Sequence, residues 1–468
     1  MTAKKYTELI KNIIVLGLGL VGSKFVQFIL LPYFTNVLTT AEYGVIDLVV
    51  TFVGLLVPIV TLELSDSVLR FGLSNETDKT DLVKCALTCL IFATVITVIG
   101  SPLLFFYKTI WPYRYFIVGM IVLQGIRTNE ALFVKAQDRV LVYSIDSILT
   151  ALIIAIFDIF FISILKVGIE GYFCAELIGN MFSIVFLLFC GKIYQNIDLG
   201  KPLDKELLRR MLKYSIPLMF NAISWWITSF SDRAVLNIFF SESEVGLYSV
   251  AAKIPAIITT LLSVFTQAWI MSAVKEYEKE NNPSFFINIR KVYSAILFVG
   301  IGMAILIIKP LMKIYVGENF FEAWYYVPIL LIGTAFLGIS NYYGAIYAAA
   351  KANLLEIKST LICAISNIIL NFVLIPKSGI MGAVLATSLS YIIVVIVRII
   401  DTKKIMTIKP GIFDLILSSG LLMLEVYYTM LEQKKMMVTY FVILLVWKGI
   451  VVIYENSHMQ TKFIWRNR

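Results

Sequence analysis

Histidine occurs once in the 468 residues, as His458, and charged residues make up only 15% of the chain. A single imidazole excludes a histidine proton relay and a multi-His metal centre. There are five cysteines (Cys85, Cys89, Cys174, Cys190 and Cys363) and no C-x-x-C pair. They read as small apolar fillers, not as a disulfide or metal framework. No D-x-D sugar-nucleotide motif occurs. The stretch "GLGLVGSK" at 17–24 contains G-x-G-x-x-G, but no strand precedes it and the G-K-S/T order is missing. Its glycines suit close helix packing better than a phosphate loop. No cofactor, metal site or catalytic centre is expected.

What the chain has in abundance is apolar sequence: 59% hydrophobic residues and a mean hydropathy of +0.86. A soluble protein could not cover that much apolar surface with so few charges. Runs of about 20 apolar residues recur from end to end, each long enough for a bilayer core of ~30 Å. The apolar/polar alternation of membrane barrels is absent, so the expected class is an all-α polytopic membrane protein. The spans number about fourteen: 11–37, 43–66, 82–107, 112–134, 141–165, 169–190, 214–240, 245–272, 289–309, 323–350, 354–375, 379–400, 411–431 and 436–454. Glu425 and Lys448 interrupt the last two, and Lys448 is expected to snorkel to the membrane surface. The first span follows Lys4, Lys5 and Lys11, yet it is too long for a signal peptide and is expected to be retained. About 26 lysines and arginines fall in connections on one side and about 8 on the other, which puts both termini in the cytoplasm by the positive-inside rule. The net charge of +9 is then explained by that bias and by attraction to anionic membrane lipid, with no nucleic-acid partner.

The sequence repeats. "AEYGVID" at 41–47 matches "SEVGLYS" at 243–249, "ALFVKAQDRVL" at 131–141 matches "AIYAAAKANLL" at 345–355, and "GIEGYFCAE" at 168–176 matches "GIMGAVLAT" at 379–387. Three matches in one order predict a six-helix bundle over 1–190 and a second over 214–400. Six is even, so the two are parallel repeats. A basic linker at 191–213 joins them, and its stretch "DKELLRRMLKYS" is expected to lie along the membrane surface. Residues 401–468 add two helices and a cytoplasmic tail.

Charges inside spans are rare and mark functional sites. The run "ISWWITSFSDRAVLNIFF" carries Asp232 and Arg233 side by side. The other intramembrane cations are Lys24, Arg70, Arg127 and Lys253. The acids are Asp47, Glu63, Asp66, Glu130, Asp146, Asp158 and Glu176. Structural pairing competes with function at several of these. Glu63, Asp66 and Arg70 are spaced for one helix face, and Arg127 and Glu130 are three apart. Lys24 and Lys253 have no acid at such spacings. Pro32, Pro58, Pro217, Pro255 and Pro328 are expected to interrupt spans. Trp225, Trp226, Tyr342, Tyr343 and Tyr347 suit either sugar stacking or plain packing.

"TTAEYGVIDLVVTF" and "SDRAVLNIFFSESEVGLYSVAAKI", with "GIEGYFCAELIG" and "GIMGAVLATSLS", resemble the repeat signatures of Wzx-type polysaccharide repeat-unit flippases. Their superfamily includes the multidrug and toxin extruders. The resemblance covers the first twelve spans. The two extra spans resemble the fourteen-helix members, including peptidoglycan-precursor flippases. The resemblance implies two bundles facing a central cavity and alternating access. It also implies a glycan carried on polyprenyl pyrophosphate, and so a non-enzymatic protein of the cell membrane. Such a cargo would need a cationic path, expected from Lys24, Arg70, Arg127, Arg233 and Lys253. Asp47, Asp66, Asp146 and Asp232 would serve as coupling or charge-balancing acids. A monomer is expected, with a downstream polymerase as a partner. The alternatives are a cation antiporter of the extruder type on the same fold and, further off, a glycan polymerase or glycosyltransferase.

Overall fold

A computed structural model describes Gly19 and residues 22–74, 76–198, 200–279, 283–406, Ile408 and 410–466, with side chains described to Tyr277 and from Pro283 to Ile453. No β-strand occurs among the described residues. Hydrocarbon offers no partner for a backbone N–H or C=O, and a helix satisfies both within its own segment. The helices run α1 (22–37), α2 (Thr40–Thr61), α3 (Leu64–Gly72), α4 (Lys79–Gly100), α5 (Arg114–Ala136), α6 (Val140–Ile159), α7 (Ile169–Cys190) and α8 (Lys205–Phe239). They continue as α9 (Glu242–Lys279), α10 (Pro283–Tyr315), α11 (Val327–Ala349), α12 (Asn353–Ser378), α13 (Ile380–Ile405), α14 (Ile412–Met430) and α15 (Lys434–Arg466).

Among the described residues, 12 helical stretches are long and apolar enough to cross a membrane. Each corresponds to an expected span. Of span 1, residues 11–18, 20 and 21 lie outside the described residues, and α1 is the rest of it. Span 7 is present as α8, but Ser224, Ser229, Ser231, Asp232 and Arg233 make it too polar to count with the others. Ile91, Phe92, Val95, Ile96 and Ile99 of α4 lie exposed together. Such a face is costly in water and suited to lipid tails.

The chain forms two compact units: Met1–Asn237 with Ser241–Gly246, and Ile238–Phe240 with Leu247–Arg468. In the first unit, Leu207 and Met211 pack into a core with Leu64, Val68, Leu82, Phe133 and Val134. Ser67 Oγ also donates to the Met211 carbonyl at 2.7 Å. The basic stretch is therefore the opening of α8, anchored on this core, and not a separate surface helix. At 35 residues, α8 is about 52 Å long, more than a bilayer core needs. Lys201, just ahead of it, holds Asp81 at 2.9 Å and Asp78 at 3.4 Å. Asp78 caps α4, and the N–H groups of Asp81 and Thr80 hold its carboxyl below the usual carboxylate range.

The two copies of the first repeat signature begin their helices alike. Thr39 and Glu42 form a capping box at α2, with Thr39 N–H donating to Glu42 Oε2 at 2.8 Å. At α9 the Ser241 N–H likewise donates to Glu244 Oε2, at 3.2 Å, while the Ser241 hydroxyl accepts from the Ser243 N–H at 3.3 Å. Between them, Thr40 Oγ1 and Ser243 Oγ lie 2.6 Å apart. A Cβ at Gly44 would overlap the Glu242 carbonyl, and one at Gly246 the Thr40 carbonyl. Glycine in both signatures is what lets the helix ends touch.

Expected span 2 is not one helix. Pro58 sits in the last turn of α2, and Leu62 and Glu63 both take left-handed conformations, at φ 55° and 50°. Leu62 N–H bonds the Ile59 carbonyl and Glu63 N–H the Pro58 carbonyl, a Schellman-type stop. Glu63 therefore falls outside α3, and the proposed face of Glu63, Asp66 and Arg70 does not form. Pro328, expected to interrupt a span, instead sits at the start of α11, where its missing N–H costs nothing.

In the second unit, Trp269 stacks on Tyr342 at 5.3 Å and Phe265 on Tyr293 at 4.2 Å. Tyr342, Tyr343 and Tyr347 are each at most 1% exposed. Their hydroxyls donate to the carbonyls of Phe286, Pro410 and Arg398. These three tyrosines are packed within the second unit, with their hydroxyls satisfied by backbone carbonyls.

Candidate functional site

Arg233 sits on α8 and points at α2. Its Nε donates to Asp47 Oδ2, and its Nη1 donates to the Ser229 carbonyl at 2.7 Å. Asp47 and Arg233 are 6% and 8% exposed. The helices come this close because Gly54 leaves room for the Trp226 ring, and Phe52 meets Phe230 at 5.4 Å. Adjacent helical residues point about 100° apart, so Asp232 faces a different direction from Arg233. It is 1% exposed. Removing either member of a buried pair strands the other charge, which is far costlier than leaving the pair intact.

A second cation lies between α5, α6 and α7. Arg127 Nη2 reaches Asp146 Oδ2 at 3.8 Å. Its Nε donates to Ser183 Oγ at 3.0 Å, and Ser183 donates in turn to Asp146 Oδ1 at 2.6 Å. Asn180 Oδ1 accepts from Nη1 at 3.4 Å. The partner of Arg127 is thus across the bundle and not Glu130 on its own helix. Asp146 is 1% exposed, whereas the Arg127 side chain is 26% exposed. Glu176 on α7 accepts from Tyr172 at 3.4 Å and lies within electrostatic reach of both Arg127 and Lys24.

Two of the four expected balancing acids, Asp47 and Asp146, therefore each hold one expected cation in the first unit. Lys24 is exposed on α1 and donates to Gln27 at 3.2 Å. Arg70 is exposed in the last turn of α3. Asp66 lies within reach of Lys135. Asp158 is 1% exposed, and its Oδ1 has no hydrogen-bond partner among the described residues. Lys253 belongs to the second unit, half-buried on α9.

The second unit also holds a buried charge cluster that the sequence reading missed. Asp414 Oδ1 accepts from Lys448 Nζ at 2.8 Å, Trp447 Nε1 at 3.0 Å and Ser418 Oγ at 3.2 Å. Arg290 Nη1 lies 4.0 Å from Asp414 Oδ2. Lys448 is 1% exposed, so it does not snorkel as expected: its ammonium turns inward to Asp414 and Ser294. Arg290 and Asp414 fall inside expected spans 9 and 13. The rule that singled out Asp47 and Arg127 would have found them.

Residues 9–270 match the family described as polysaccharide biosynthesis protein. A probable low-salt glycan biosynthesis flippase of Haloferax volcanii is 30% identical over 199 residues, 42% of this chain and 42% of that protein's length. Among solved structures, a lipid II flippase in an inward closed conformation matches with TM-score 0.70 at 16% identity, over 97% of this chain and all of that one. An outward-facing multidrug resistance transporter of the MATE family matches with TM-score 0.61 at 13% identity, covering 84% and 95%. At these identities the two structures show a shared fold.

Proposed function

The chain belongs to the polysaccharide biosynthesis protein family, and on that premise we propose that it is a flippase. Its cargo is an oligosaccharide on polyprenyl pyrophosphate, carried from the inner to the outer leaflet of the cell membrane. The observation that carries this reading is the family match over residues 9–270. The charge arrangement supports it. A pyrophosphate crossing hydrocarbon needs cations along its way, because an unpaired buried charge is prohibitive. Arg70, Arg127 and Arg233 meet the anion with forked donors, and Lys24 and Lys253 meet it as point charges. Asp146 and Asp47 hold the two arginines. The pyrophosphate takes their place as it passes, and each displaced carboxylate turns to the water of the opened cavity, so neither partner is left buried and bare. The two halves, 1–190 and 214–400, rock to give alternating access, with 191–213 as the cytoplasmic connection. The protein acts as a monomer and hands its cargo to a polymerase outside.

A cation antiporter of the extruder type is the second reading, favoured by the shared fold with the MATE transporter. Purified protein in vesicles, given a fluorescent polyprenyl-pyrophosphate oligosaccharide on one leaflet and a lipophilic cationic dye in parallel, separates the two. Translocation of the glycan lipid without dye transport is the expected result. Dye transport without glycan translocation would overturn the flippase reading.

A further inference from the structure

Helix α14 begins at Gly411, whose φ of 63° is left-handed and which supplies no side-chain cap. The first N–H groups of a helix are orphan donors at the positive end of its dipole. Here a second observation stands against them. Arg290 from α10 is 4% exposed, and its guanidinium packs so tightly on Gly411 that a Cβ there would overlap it. Both Nε and Nη1 of Arg290 are buried with no hydrogen-bond partner among the described residues. A guanidinium cannot shed its charge on burial. Nearby, Lys448 is also buried, and the one carboxylate between them, Asp414, already accepts from Lys448, Trp447 and Ser418. Two buried cations and one buried anion leave a positive surplus, with unsatisfied donors aimed at a helix start.

We propose that Arg290 and the α14 N-terminus form an anion site for a phosphate group, supplied by the headgroup of an anionic membrane lipid. Phosphate chemistry fits: the two charged oxygens of a lipid phosphodiester match orphan backbone N–H groups together with a guanidinium. The place fits as well. Gly411 stands where α14 meets the membrane surface, at the end that the basic connections assign to the cytoplasm, so a headgroup arrives without crossing hydrocarbon. Lys403 and Lys404 lie exposed in the last turn of the preceding helix and draw anionic lipid to that end. The site uses none of the residues of the proposed cation path and does not depend on what cargo the protein carries.

The test is lipid retention by the full chain. Delipidated protein in detergent is mixed with phosphatidylglycerol or, at the same concentration, phosphatidylcholine, and bound lipid is counted by native mass spectrometry. Wild type should retain phosphatidylglycerol in preference to phosphatidylcholine, and R290Q should retain it about tenfold less, the effect of one charge-assisted hydrogen bond. Millimolar inorganic phosphate that displaces the lipid would assign the site to phosphate as such, and failure to displace it would assign the lipid headgroup. Either result supports the anion site. Equal retention by R290Q and wild type, or no preference between the two lipids, would overturn it. Should R290Q not accumulate, R290K carries the test: it keeps the charge but loses the fork, so retention several-fold below wild type is expected and unchanged retention refutes the site.

Discussion

In the first unit each of two intramembrane arginines has a carboxylate of its own: Arg233 rests on Asp47, and Arg127 reaches Asp146. In the second unit Lys448 and Arg290 share Asp414, while Glu425 is buried with neither carboxylate oxygen bonded among the described residues. The contrast bears on what each arrangement can do. A matched pair is neutral and can exchange its carboxylate for another anion one partner at a time. A shared carboxylate leaves a standing surplus that no rearrangement among the three groups removes. The first pattern suits a path along which an anion moves. The second suits a place where an anion stays.

The contrast breaks hardest at Asp414. Asp414→Asn strands two buried cations at once and should cost about 5 kcal/mol or more, beyond the ~3–5 for one broken buried pair. Lys448→Gln should cost clearly less, because Arg290 then keeps Asp414 to itself. Thermal unfolding of the purified proteins in detergent reads both, and equal losses would contradict the shared carboxylate. Next comes Arg233→Gln, which strands Asp47 and should cost about 3–5 kcal/mol. Adding Asp47→Asn to it should recover much of that loss, as a one-to-one pair requires. Without such recovery in the double variant, the pair is not closed. Arg127→Gln should be milder, about 1.5–3 kcal/mol. Its side chain is 26% exposed, and Asp146 keeps its bonds from Ser183 and Thr150. A loss as large as that of Arg233→Gln would mean that Arg127 is as deeply committed as Arg233.

Much of this was readable in the sequence. The apolar runs located the spans because hydrocarbon admits little else, and the repeat at 41–47 and 243–249 reappeared as two helix starts capped by a hydroxyl residue and a glutamate three on, with two touching glycines. Partner choice was less legible. Spacing along one helix suggested Arg127 with Glu130, yet the real partner, Asp146, comes from α6, and no local rule reaches across a bundle. Arg233 was singled out beside Asp232, but its partner lies 186 positions away on α2. The break at Leu62 and Glu63 was hidden because a left-handed pair without glycine leaves no mark in composition. The Asp414 cluster was open to the same rule as the others, since an aspartate and an arginine within spans are both rare.

The central claim is that cations within the membrane carry an anionic cargo. Lys24→Gln and Lys253→Gln test it most directly, measured in vesicles by translocation of a defined polyprenyl-pyrophosphate oligosaccharide at matched protein content. Lys24 is exposed on its helix, so Lys24→Gln should leave stability within about 0.5 kcal/mol. Flipping should nonetheless fall roughly tenfold or more in each variant, the effect of losing one charge-assisted hydrogen bond. Lys24→Arg should keep part of the activity. If both glutamine variants flip at the wild-type rate while Asp47→Asn or Asp66→Asn stops transport, the cargo is not drawn along by these cations and the account is wrong.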